Sequence, residues 1–148
     1  MSPHFGLMDE NKMSKVEAQL MRCKLHWRCG VRRVRGDKAA AGLTTLYDAL
    51  LSAMRWYILT NLRQELGANA EENLENERFV FSLLRRAAIL DNSFDLQFIL
   101  DTVDRALMEE DVSSEQERAV ILMQQFLTRL GVLPFDEAEL PPEEPAAS

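Results

Sequence analysis

The sequence predicts an all-α protein, an up-and-down bundle of four to five helices that opens with a long antiparallel hairpin. Three observations lead to this fold class. Apolar residues recur every three or four positions between residues 16 and 130, no stretch alternates as a strand would, and residues 39–62 form a mostly apolar segment without a helix breaker. Because apolar residues occupy most of its circumference, this segment is predicted to be the central helix, covered on two sides.

The first two helices are predicted over residues 11–34 and from residue 39 to about residue 66. Gly36 and Asp37 are typical of a helix end followed by a cap for the next helix, and a connection this short favours an antiparallel hairpin. Gly30 lies on the apolar face of the first helix, where it costs about 1 kcal/mol relative to alanine. Close approach of a neighbouring helix would offset that cost.

Three further helices are expected over residues 74–90, 94–108 and 113–130. Asn92 or Ser93 is predicted to cap the second of these. Ser113 and Ser114, each followed three residues later by Gln116 or Glu117, predict capping boxes for the last one, which Gly131 should end. The chain is therefore divided into a flexible N-terminus (1–10), a single helical-bundle domain (11–134) and an acidic, proline-rich tail (135–148).

The charge is unevenly distributed, since a chain of net charge −7 carries nine basic and only two acidic side chains between residues 12 and 38. This pattern predicts either pairing with the acidic helices or an anionic partner. A candidate site for nucleotide or phosphate binding consists of four arginines beside Trp27: Arg28, Arg32, Arg33 and Arg35. The helical pattern predicts that these arginines point in different directions and that Trp27 lies on the core side.

The central helix carries a possible interhelical polar site, because Asp48, Ser52 and Arg55 share one of its faces. Charged groups on a mostly buried helix are more often structural partners than a substrate pocket. Asp48 and Arg55 also interrupt the best apolar run, so no membrane span of roughly 20 residues is predicted.

Cys23, His26 and Cys29 form a C-x-x-H-x-x-C pattern, but a helix spreads these groups over about 120°. No metal and no other cofactor is therefore expected. Two cysteines without a disulfide framework, and no signal peptide, favour a cytoplasmic protein. The sequence contains no nucleophile, phosphate-binding or di-iron motif, so no catalytic residue is assigned.

A homodimer interface is predicted on the second faces of the first two helices, where four apolar side chains lie opposite the core: Met21, Leu25, Trp56 and Leu59. Apolar patches of a few hundred Å² are uncommon on monomers, and twofold dimers are the commonest way to bury them.

Two stretches carry a family resemblance. The segment AQLMRCKLHWRCG followed by RGDKAAAGLTTLYDALLSAMRWYI resembles the opening hairpin of HEPN-type helical bundles, and ERAVILMQQFLTRLGVLP is similar to their closing helix. The resemblance implies a bundle, a dimer and a binding role. It does not imply nuclease activity, because no histidine follows Arg105, Arg118 or Arg129 at the family's spacing.

The leading functional prediction is a non-enzymatic helical-bundle protein that acts through self-association, as a homodimer, and through a second protein. The alternative is a nucleotide- or RNA-binding protein, in the manner of HEPN partners of a nucleotidyltransferase. Nucleic acid as a ligand is allowed but not favoured. A third hypothesis is an enzyme that uses Asp48 and Arg55.

Overall fold

The computed structural model describes residues 13–142. The predicted flexible N-terminus and residues 143–148 of the predicted tail lie outside this range. Within it the secondary structure is helical without strands, which confirms the all-α fold class. The α-helices are α1 (Lys15–Arg35), α2 (Ala39–Asn61), α3 (Ala70–Glu75), α4 (Glu77–Arg86), α5 (Leu96–Leu107) and α6 (Ser113–Arg129).

Helices α1 and α2 form the predicted antiparallel hairpin, and two glycines bring their backbones together. A Cβ atom built on Gly30 would lie 2.7 Å from the Leu46 side chain, and one built on Gly42 would lie 2.8 Å from the backbone nitrogen of Val34. Residue 30 therefore faces residue 46, and residue 34 faces residue 42. The close approach expected at Gly30 is present, and a second one occurs at Gly42.

The hairpin turn differs from its prediction. Asp37 takes a positive φ of 61° instead of capping α2, whose N-cap is Lys38 without a side-chain hydrogen bond. The Lys38 amide donates to the Arg33 carbonyl at 2.9 Å, closing a Schellman-type turn that requires a left-handed residue at position 37. Aspartate tolerates that conformation better than most residues, which explains why glycine is not needed there.

Helix α2 is the central helix, as predicted. It packs against α1, α4, α5 and α6. Residues 49–54 are all buried, and six consecutive positions point in every direction around a helix. The helix ends at Asn61 rather than near residue 66, because residues Arg63–Leu66 form a separate 3-10 helix.

The helix predicted over residues 74–90 is two helices, α3 and α4, separated at Asn76. Asn76 has extended backbone angles, and its side-chain oxygen accepts a hydrogen bond from the Phe79 amide at 3.2 Å. An asparagine in this role starts a helix, so the polar stretch before Phe79 contains a break that apolar periodicity does not reveal.

Helices α5 and α6 are present, but their predicted caps are wrong. Asp95, rather than Asn92 or Ser93, accepts from the Phe98 amide at 3.0 Å and caps α5. The N-cap of α6 is Val112 without a side-chain bond, and the Ser113 hydroxyl donates to Asp111 at 2.7 Å. Aspartate competes for the serine hydroxyl and replaces the capping box with a turn before the helix.

The chain continues past α6 as a folded segment, residues 131–140, called the C-terminal strap below. It begins at Gly131, where φ is 88°, and the Val132 amide donates to the Leu127 carbonyl at 3.0 Å. Phe135 packs against the core, and Leu140 is only 7% exposed. Folded structure therefore extends beyond residue 134, where the predicted domain ended.

Among residues 13–142, no helix is long and apolar enough to cross a membrane.

We predict that Gly42→Ala destabilises the protein and Gly36→Ala does not. The new methyl group at position 42 would meet the backbone of α1, which cannot swing away, so the free energy of unfolding should fall by about 1–3 kcal/mol. A methyl group at position 36 would meet only the Arg32 and Arg33 carbonyl oxygens, at the ordinary contact distances of 3.5 and 3.7 Å, and the change should stay within about 0.5 kcal/mol. Urea unfolding of both variants measures the difference, and a Gly42→Ala protein as stable as wild type would contradict the close helix contact.

Candidate anion-binding groove

An open groove of about 590 Å³ lies between α1, α6 and the C-terminal strap. Its described lining residues come mostly from one side of α1 and are completed by two residues of α6 and one of the strap: Trp27, Arg28, Val31, Arg32, Val34, Arg35, Val120, Gln124 and Glu137. The groove thus combines apolar and polar side chains, as ligand sites commonly do.

Three of the four predicted arginines share this groove. Arg28, Arg32 and Arg35 follow one another at spacings of four and three residues, so they lie on one face of α1 rather than in different directions. Arg33 is the exception, since it lies on the other side of the helix and donates to the Thr45 hydroxyl of α2 at 2.8 Å. The predicted phosphate-binding set is therefore reduced to three arginines. Arg33 instead links α1 to α2 through its hydrogen bond to Thr45.

The three groove arginines differ in their surroundings. Arg32 is half-buried, and its Nη2 donates to the Cys29 sulfur at 3.2 Å. Arg28 is also half-buried and contacts neighbouring groups. Arg35 is exposed, and within residues 13–142 no hydrogen bond or ion pair engages its guanidinium. Arg35 is thus the arginine best placed to meet a ligand from solution.

Trp27 lines the groove and belongs to the core, as predicted. Only 8% of its surface is exposed, so the indole offers an edge rather than a whole face to a ligand. Trp27 and Gln124 also line a smaller neighbouring groove of about 310 Å³ that runs along the strap.

The strap supplies the acidic wall of the groove. Glu137 belongs to the short 3-10 helix Glu137–Glu139, which Asp136 caps by accepting from the Ala138 amide at 2.9 Å. Sequence reasoning missed Glu137 and Gln124 as groove residues. The sequence pattern placed residues 135–140 of the strap in a tail outside the bundle, because their acidic composition and the prolines that follow are typical of a disordered segment.

The predicted polar site on α2 is dispersed in the structure. Ser52 is 1% exposed, whereas Asp48 is exposed and its Oδ2 lies 3.9 Å from Nδ1 of buried His26 on α1. Arg55 is half-buried and its Nε donates to the Leu74 carbonyl of α3 at 2.9 Å. Asp48 and Arg55 therefore serve different neighbours, which favours structural roles for both.

The electrostatics near these residues reflect partial burial. Burial raises the pKa of the Asp48 carboxyl, although the charge of Arg55 acts in the opposite direction, and burial lowers the pKa of the Arg55 guanidinium. Burial, followed by the charge of Glu77, raises the pKa of Tyr47, whose hydroxyl donates to that carboxylate at 3.1 Å. Tyr47 is thus a permanent hydrogen-bond donor that links α2 to α4.

The C-x-x-H-x-x-C residues lie within the uninterrupted helix α1. Cys23, His26 and Cys29 are all buried. Burial raises the pKa of Cys23 to about 12, so its thiol stays protonated. No group of three or more histidine, cysteine, aspartate or glutamate side chains among residues 13–142 is arranged to hold a metal ion.

The predicted dimer surface is partly covered within the chain. Leu25 is 1% exposed and Leu59 is 7% exposed, so the expectation that they form an exposed second face is wrong. Each faces away from the predicted core stripe, but that side of its helix is also covered. Met21 and Trp56 remain half-buried, and Trp56 lines a groove of about 280 Å³ beside Lys24.

We predict that Arg55→Met lowers the free energy of unfolding by about 1–3 kcal/mol, because the Leu74 carbonyl at the end of α3 loses its donor. The matched control is Arg78→Met on α4, an exposed arginine whose replacement should change stability by less than about 0.5 kcal/mol. Urea unfolding followed by circular dichroism compares the two. If both substitutions lower the free energy of unfolding equally, the hydrogen bond from Arg55 to the Leu74 carbonyl does not stabilise the fold.

Comparisons of the chain with protein-family models, with curated proteins and with solved structures give no match.

Proposed function

We propose that this protein is a non-enzymatic binding protein that takes up a ribonucleotide phosphate in the groove lined by Trp27, Arg28, Arg32 and Arg35. The observation that carries the proposal is that three arginines of α1 line one groove. Guanidinium groups bind phosphate oxygens through paired, charge-assisted hydrogen bonds, and this geometry makes arginine a common phosphate ligand.

The charge of the groove supports an anionic ligand. Its described lining residues include three arginines and a single acid, Glu137, in a chain whose net charge is −7. Arg35 at the exposed end gives an incoming phosphate a first point of contact.

The size of the groove supports one nucleotide unit. A volume of about 590 Å³ falls within the roughly 300–1,000 Å³ of small-ligand sites. Val31, Val120 and the edge of Trp27 offer apolar contact for a base or a ribose. A free nucleotide and one nucleotide of single-stranded RNA present the same chemistry, so the experiment below separates them.

Binding is a better conclusion than catalysis for this groove. Its described lining residues include no histidine, cysteine, serine or aspartate, so they offer no nucleophile paired with a general base. The third hypothesis, an enzyme using Asp48 and Arg55, is less well supported because these side chains bind different neighbours. A partner protein, such as the nucleotidyltransferase that the HEPN resemblance implies, is part of the proposal.

We predict that Arg35→Ala weakens ligand binding about tenfold, since a hydrogen bond to a charged group contributes roughly 1.5–3 kcal/mol. Titration calorimetry with AMP and ADP, and fluorescence anisotropy with a labelled octameric oligouridylate, distinguish a free nucleotide from RNA. Arg63→Ala, which removes an exposed arginine outside the groove, is the matched control and should change affinity less than about twofold.

The proposal fails if wild-type protein binds none of these probes at millimolar concentration. It also fails if Arg63→Ala weakens binding as much as Arg35→Ala does, because the effect would then come from overall charge.

Self-association is a second proposal, supported by Trp56. This tryptophan is half-buried and lines a groove with Leu20, Lys24 and Phe135, so it is the largest apolar side chain of the predicted interface that retains exposed surface. Tryptophan is enriched among interface residues whose truncation costs about 2 kcal/mol or more.

We predict that wild-type protein sediments as a dimer at tens of micromolar and that Trp56→Ala shifts the equilibrium toward monomer. The matched control is Met108→Ala, which removes an apolar side chain that is 76% exposed but lies at the end of α5. A wild-type mass of 16.9 kDa in sedimentation equilibrium would end the proposal. A dimer weakened equally by both substitutions would remove Trp56 from the interface.

A further inference from the structure

Glu137 faces the same groove as the three arginines, although it comes from a different part of the chain. It also lines the smaller groove along the strap, together with Trp27 and Gln124. A carboxylate at the junction of both grooves is unexpected if the site recognises phosphate alone, because it repels that ligand.

The position of Glu137 is fixed by contacts on both sides of it in the strap. Before it, Val132 is 3% exposed, and the ring of Phe135 lies 5.8 Å from Nζ of Lys24 in a cation–π contact. After it, Leu140 is 7% exposed. Between these anchors, Asp136 caps the 3-10 helix that carries Glu137. The backbone at Glu137 is therefore held beside the groove, and its exposed side chain lines the groove wall.

We infer that Glu137 determines the specificity of the groove, so that it selects a nucleotide carrying few phosphates over an inorganic polyphosphate. This inference rests on the proposed function. The arginines on α1 bind the phosphate, and Glu137 on the strap accepts hydrogen bonds from the nucleoside part of the ligand.

The chemistry of the two ligand classes differs in hydrogen-bond donors. An ionised carboxylate only accepts hydrogen bonds, so it needs donors from its ligand. A nucleoside supplies them through its ribose hydroxyls and the amino group of its base, whereas a polyphosphate near neutral pH consists mostly of acceptor oxygens. Gln124, which can donate and accept, lies in the same groove and suits the mixed edge of a base.

A simpler role for Glu137 is that of a counter-ion that neutralises part of the arginine charge. In that case its removal strengthens the binding of every anion alike. Under the inference, removal of the charge strengthens polyphosphate binding and weakens nucleotide binding, so the two roles predict opposite changes for a nucleotide.

The experiment is titration calorimetry of wild type and Glu137→Gln with AMP and with pyrophosphate. Wild type should prefer AMP, and in Glu137→Gln the affinity for AMP should fall about fivefold while that for pyrophosphate rises about threefold. The matched control is Glu139→Gln. It removes the same charge two residues along the strap, but Glu139 lines the Trp56 groove instead, so both affinities should stay within about twofold of wild type.

Three outcomes overturn the inference. If Glu137→Gln binds both probes more tightly by the same factor, Glu137 is a counter-ion. If Glu137→Gln and Glu139→Gln behave alike while Arg35→Ala still weakens AMP binding, Glu137 has no special role but the proposed function stands. If wild type binds neither AMP nor pyrophosphate, the proposed function and the inference fall together.

Discussion

The structure depends on the close contact between α1 and α2 at Gly30 and Gly42. A side chain at either position would collide with the opposite helix, at Leu46 or at the backbone of Val34. Backbones this close allow only one register and one rotation of α1 against α2. The contact therefore fixes which face of α1 is turned inward and which is left for the groove.

The rotation of α1 also separates the roles of its arginines. Gly30 faces α2, and Arg33 lies near enough to that side to donate to Thr45. Arg28, Arg32 and Arg35 are carried to the other side, where α6 and the strap form the rest of the groove. A basic stretch that is ambiguous in sequence is thus divided by one packing contact into a structural arginine and three groove arginines.

Much of this arrangement could be predicted from the sequence. The apolar periodicity is sufficient to predict the central helix and the hairpin, because burial of an apolar face is the main force that orders them. The common face of Arg28, Arg32 and Arg35 could also have been predicted, since their spacings correspond to successive turns. The proximity of His26 and Asp48 was predictable in the same way, because an antiparallel hairpin that turns at residues 36–38 brings those positions close together.

Other features depend on competition between similar local signals. Aspartate, asparagine and serine all compete for the start of a helix, so residue type alone does not determine the choice of Asp95 over Ser93, or of Asp111 as the partner of Ser113. The burial of Leu25 and Leu59 follows from tertiary contacts that helical periodicity does not describe. The strap is the clearest case. The acidic, proline-rich composition of the predicted tail (135–148) is typical of disorder, yet Phe135 and Leu140 contain enough apolar surface to hold residues 135–140 against the bundle.

Under the proposed function, the distribution of charge would give this groove a selectivity that neither α1 nor α6 alone would have. At physiological ionic strength electrostatic attraction extends only about 8 Å, so under the proposed function an anion in the groove would interact chiefly with the residues that line it. A long nucleic acid would extend beyond the groove and meet a body that is acidic as a whole, since the net charge of the chain is −7 despite its basic first helix. Each additional phosphate outside the groove would then be repelled rather than attracted. The same basic helix on a neutral or basic body would favour polyanions, whereas under the proposed function the acidic body would favour a ligand short enough to remain within the groove.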